Sequence, residues 1–87
     1  SIDSAASMVL LMGRPEDARA LLRRALARYP LSAMDPVSRP WGGVLRVAAA
    51  VGDPELARQA VEAGREVLSR VGPDSIGVRA QIAGLEA

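Results

Sequence analysis

The chain reads Gly13–Arg14–Pro15 and, 39 residues later (52 − 13), Gly52–Asp53–Pro54. Glycine accepts the left-handed conformation that ends a helix, and proline suits the first position of the next, where no N–H donor is needed. Each tripeptide is therefore a sharp turn between two helices. Each also has apolar segments on both sides: Ile2 to Met12 and Ala18 to Tyr29 around the first, Trp41 to Val51 and Ala57 to Val71 around the second. The repeat predicts two antiparallel helical hairpins.

Periodicity supports the second helix of each pair. From Ala18, apolar residues fall at Leu21, Leu22, Ala25, Leu26 and Tyr29; from Ala57 they fall at Ala60, Val61, Gly64, Leu68 and Val71. Both are helical stripes, predicting helices over about 15–29 and 54–70. Glu16, Asp17 and Glu55 place negative charge at the positive end of each helix dipole. Asp53 can also cap its helix through a side-chain oxygen, which Arg14 cannot. The stretch Pro30–Pro40, "PLSAMDPVSRP", carries three prolines and reads as a connecting loop. Hairpin 1 thus spans about 2–29, the loop 30–40 and hairpin 2 about 38–70. Ile76, Val78, Ile82 and Leu85 mark a terminal helix over about 74–86, weakened by Gly77 and Gly84. The expectation is one all-α domain, residues 1–87, of about five helices.

Composition narrows the chemistry. Trp41 and Tyr29 are the only aromatic residues although 49% of the chain is hydrophobic, so alanine and leucine must form a core of closely approaching helices. There is no lysine, histidine, cysteine, asparagine, threonine or phenylalanine; every positive charge is an arginine. The serines therefore have no His, Lys or Cys to activate them, and no sulfur or imidazole can bind a metal. Acidic pairs such as Glu62 with Glu66 read as a solvated face, with Glu62–Arg65 and Glu66–Arg70 ion pairs. Asp35, beside Pro36, reads as a turn residue. "WGG" at 41–43 is too short for a phosphate loop and lacks its lysine. These features predict a non-enzymatic protein with no cofactor and no metal. The longest apolar run, Ala5 to Met12, falls short of the ~20 residues of a membrane span, so the expectation is a soluble, cytoplasmic, bacterial protein without a membrane partner. The chain begins with serine, which reads as a fragment of a larger protein.

The net charge of +1 argues against a dedicated nucleic-acid binder. Arg19, Arg23, Arg24 and Arg28 nevertheless form two i,i+4 pairs on one side of the 15–29 helix. Their alternatives are a solvated face or a contact with an acidic protein surface or a nucleic-acid backbone. No aromatic residue is interleaved to stack on bases.

The repeat unit resembles the tetratricopeptide (TPR) family of helical hairpins. The residues that carry the resemblance are Trp41, Val44, Leu45, Ala48, Ala57 and Val61 in the second unit. In the first they are Ile2, Ala5, Ala6, Val9, Ala18, Leu22 and Pro30, with small residues at Ala25 and Gly64. Most of the family's aromatics are replaced by aliphatics, Ser69 stands in place of a closing proline, and the loop lengthens the repeat beyond the usual ~34 residues. The resemblance covers about residues 1–71. It implies a right-handed array of stacked hairpins, a core position for Trp41, and a groove lined by the first helix of each hairpin. By that pattern Asp3, Ser7, Leu10 and Leu11, then Arg39, Gly42, Arg46, Ala49 and Ala50, line the groove. Arg39 and Arg46 become the residues to hold a carboxylate by bidentate hydrogen bonds, although Asp3 and Ser7 stand where carboxylate-binding members carry a basic and an amide residue. Gly42 and Gly43 either admit a peptide backbone or ease the start of the helix. The implied function is protein or peptide binding; the alternatives are self-association into an oligomer and, third, nucleic-acid binding through the arginine face.

Overall fold

The computed structural model describes residues 2–86, which form five α-helices and no strand. They are α1 (Ile2–Leu11), α2 (Pro15–Arg28), α3 (Trp41–Val51), α4 (Pro54–Val71) and α5 (Ile76–Glu86), with one 3-10 turn at Leu31–Ala33 inside the proline-rich loop. Both glycine turns form as the sequence predicts: Gly13 has φ +76 and Gly52 φ +69, and Pro15 and Pro54 open α2 and α4. The side chain of Asp53 accepts the Leu56 N–H at 3.1 Å, whereas Arg14 makes no such cap.

Helix α1 packs on α2 and α3 on α4, and α3 also touches α1, α2 and α5. It is the central helix, and its first turn shows how this is done. Successive helical residues point about 100° apart, so Trp41, Gly42 and Gly43 address three neighbours. Trp41, 7% exposed, lies on α4 at Gly64, where an added Cβ would come within 2.7 Å of Trp41 Cε3. Gly42 faces Gln81 of α5, and an added Cβ there would sit 3.1 Å from the Gln81 Cβ. A Cβ on Gly43 would overlap the Asp3 carboxylate of α1. The two glycines admit neighbouring helices of this chain, a role different from either of the two the sequence left open for them.

These contacts have a register. Asp3 lies beside Gly43 and Gly42 beside Gln81, offsets of 40 and 39 residues. The α3-to-α5 offset equals the 39-residue spacing of the Gly-X-Pro turns, and the α1-to-α3 offset is one residue longer. Gln81 also does the work of a helix cap. Pro40 offers no side chain to the start of α3, so Gln81 Oε1 accepts the Gly42 N–H at 2.6 Å while its Nε2 donates to the Arg39 carbonyl at 3.0 Å.

Several boundaries and faces differ from the sequence reading. α3 begins at Trp41 instead of 38, and α5 at Ile76 instead of 74. The buried stripe of α4 is Leu56, Ala60, Ala63, Gly64 and Val67; Val61 is exposed and Leu68 only half-buried. The face is rotated because α4 is packed from two directions, by α3 and by the 3-10 turn. Tyr29 is likewise exposed, donating from its hydroxyl to the Ala33 carbonyl at 3.2 Å. Glu62 pairs with Arg58 at 2.7 Å and not with Arg65, whereas Glu66 does pair with Arg70, at 3.4 Å.

Trp41→Ala removes a large buried ring and is expected to cost about 3–5 kcal/mol in denaturant unfolding. Gly64→Ala is expected to cost about 1–3 kcal/mol, because the indole cannot yield to a methyl on the helix it lies against. The positions one repeat earlier are Ile2 and Ala25, a smaller residue with a larger one. Accordingly, in a Trp41→Ile background Gly64→Ala should lose its penalty and gain up to about 1 kcal/mol from helix propensity. An equal cost in both backgrounds would contradict the assigned contact.

Candidate functional site

Two arginine-centred arrangements account for most of the buried polar chemistry. The first joins the hairpins. Asp53 sits in the α3–α4 turn with its side chain wholly buried, and it accepts from Arg23 Nε at 2.7 Å and Arg19 Nε at 3.1 Å, both from α2. The same carboxylate caps α4. One acidic group thus stops the turn, starts a helix and ties the preceding hairpin to it. The hydrogen bond from Arg23 is the main reason the Asp53 carboxyl lies far below the usual range; burial opposes it, and the Leu56 N–H and Arg19 reinforce it. Arg23 is raised in return.

The second arrangement closes the loop. Arg39 is 1% exposed. Its Nη1 donates to the Ala63 carbonyl at 3.2 Å and lies 3.5 Å from Glu66 Oε2, while Nη2 donates to the carbonyls of Ser32 and Met34 at 3.2 and 2.9 Å. The loop turns under the guanidinium because Ser32 and Met34 have no helical partner for those carbonyls, and a fork of N–H donors can serve several at once. Asp35 shapes the same loop, its Oδ1 accepting the Val37 N–H at 3.0 Å.

These arrangements correct part of the expected groove. Arg39 is not available to a ligand carboxylate, because it is buried and both its terminal nitrogens donate to this chain's own carbonyls. Gly42 is buried against Gln81 and is not a groove residue either. The four-arginine face also divides: Arg19 and Arg23 are paired with Asp53 while still partly exposed, and Arg24 and Arg28 are exposed with no ion pair among the described residues.

The remaining groove candidates lie on α1 and α3, which adjoin. Arg46, Ala49 and Ala50 are exposed, Leu11 is 87% exposed, Ser7 and Leu10 are half-buried, and Met8 and Met12 extend the apolar edge. Arg46 has no ion-pair partner among the described residues. The surface therefore offers an exposed guanidinium on a helix that also exposes small side chains.

Among the described residues, no cluster of three acidic side chains could hold a metal, and no helix is long and apolar enough to cross a membrane. Comparison with known proteins adds no relative: no family model, no curated protein and no solved structure matches the chain.

The depressed carboxyl of Asp53 supplies stability above the unfolded aspartate value of about 3.9 and loses it as pH falls below that. Asp53→Asn keeps an oxygen for the cap but loses the charge. It is expected to be less stable by about 1–2 kcal/mol at pH 7, a discounted figure because both arginines are partly solvated. The gap to the parent chain should narrow steadily below about pH 4 as the parent carboxyl is protonated; a gap independent of pH would contradict the clamp.

Proposed function

We propose that the protein is a non-enzymatic, TPR-like interaction module whose stacked hairpins, in a right-handed array, hold a peptide or protein segment against the outer faces of α1 and α3. The observation that carries this reading is the exposure of Leu11, Ala49, Ala50 and Arg46, the last with no ion pair among the described residues, on two helices packed side by side. Small side chains let an extended or helical backbone approach closely, exposed Leu11 and Met8 supply apolar area, and Arg46 can grip a carboxylate with two parallel hydrogen bonds. The ligand chemistry is therefore an apolar segment with an acidic side chain or a C-terminal carboxylate. Arg39 and Gly42 contribute indirectly, by fixing the start of α3.

Nucleic-acid binding is the weaker reading. With Arg19 and Arg23 held by Asp53, only Arg24 and Arg28 are left on that face of α2, too few for a strong phosphate footprint.

The test is a screen of apolar peptides ending in free or amidated carboxyl groups, read by NMR shifts of the labelled protein. Binders should perturb Leu11, Arg46, Ala49 and Ala50 and prefer the free or acidic forms. Arg46→Glu should weaken them roughly tenfold, about 1.4 kcal/mol, with the melting temperature unchanged. Binders that shift other residues, or that ignore Arg46→Glu, would overturn the proposal.

A further inference from the structure

The outer face of α5 lacks the cover that the equivalent face of α3 has. The 39-residue spacing of the Gly-X-Pro turns makes Ala80 and Ala83 the counterparts of Trp41 and Val44, both buried on α3, with Trp41 lying on α4. Both alanines are exposed, as are Ile76, at 86%, and Ile82. Together with Arg79 and Glu86 they line a shallow depression of about 570 Å³. A second apolar concavity of about 260 Å³, lined by Val37, Val67, Val71 and Val78, adjoins it and shares Ile76. The inward side of α5 is already used, Val78 being buried and Gln81 bonded to α3. No described helix of this chain covers the outward side.

We propose that this face pairs with a second copy of the chain, α5 against α5, antiparallel about a two-fold axis. The occupant is indicated by charge. Arg79 and Glu86 are seven residues apart, two helical turns, so they flank the same face, with Ile82 and Ala83 between them. Neither has an ion-pair partner among the described residues of its own chain. Two copies crossing antiparallel midway between Ile82 and Ala83 bring position i opposite position 165 − i. Arg79 then meets Glu86 of the partner subunit, and symmetry repeats the pair at the other end. A parallel pairing in register would set arginine against arginine. Ala80 and Ala83 let the two backbones approach closely, and Ile76 and Ile82 supply apolar area at the margins. An eleven-residue helix is only about 16 Å long, so the interface falls short of the roughly 800 Å² per partner of a standard complex. The dimer is a weak one that forms at high micromolar concentration. The peptide face on α1 and α3 is not used, so the two proposals fail separately.

Sedimentation velocity across a concentration series provides the test, with circular dichroism confirming that each exposed-site variant keeps the parent melting temperature. The parent chain should move from monomer to dimer as concentration rises. Arg79→Glu alone and Glu86→Arg alone should each weaken association about tenfold by opposing like charges. The combined charge swap should restore it. A chain that stays monomeric at every concentration, a dimer indifferent to either reversal, or a double swap that fails to recover would each overturn the proposal.

Discussion

The fold turns on the contact between an indole ring and a helix backbone that lacks a side chain. Trp41 lies on α4 where Gly64 leaves room, so α3 and α4 can meet with little else between them. A chain with two aromatic residues cannot fill its interior with rings, and it compensates by bringing backbones together. Glycine is a poor helix former, costing about 1 kcal/mol against alanine, and at three of the five helical glycines, Gly42, Gly43 and Gly64, a neighbouring helix presses in.

From this contact the remaining organisation follows. With Trp41 turned toward α4, helical geometry turns Gly42 toward α5 and Gly43 toward α1. The central helix is thereby surrounded, and nearly equal sequence steps of 40 and 39 residues relate α1 to α3 and α3 to α5. Polar chemistry is used sparingly, to fix what packing leaves undetermined. Asp53 ties the two hairpins through Arg19 and Arg23, Arg39 gathers the loop carbonyls, and Gln81 caps a helix that begins after a proline. Arg46 on α3 and Arg79 on α5 have no such task among the described residues.

The helical architecture was legible in the sequence because its determinants are local. A glycine with positive φ, a proline at a first turn and an aspartate three residues before an N–H are read from adjacent residues. The site was legible only in part. Nothing near Arg39 in the chain indicates that Ala63, Ser32 and Met34 would aim carbonyls at it, so its charge read as surface chemistry. Arg19 and Arg23 likewise read as solvent-facing because their partner lies 34 and 30 residues away in sequence. The α4 stripe was misplaced by about one residue because helical periodicity gives the width of a face but not the direction from which a loop will cover it. One available signal went unused: Asp53 occupies the position that is Arg14 one repeat earlier, and an inversion of charge between otherwise equivalent turns indicates a contact made by only one of them.

The most direct measurement of the central contact is the proton spectrum of Gly64. A glycine beneath an indole face has α-protons shifted well upfield by the ring current, with strong cross-relaxation to the ring protons on the Cε3 and Cζ3 edge of Trp41. The account predicts both. Gly64 α-protons at ordinary helical shifts, with no cross-relaxation to Trp41, would contradict it.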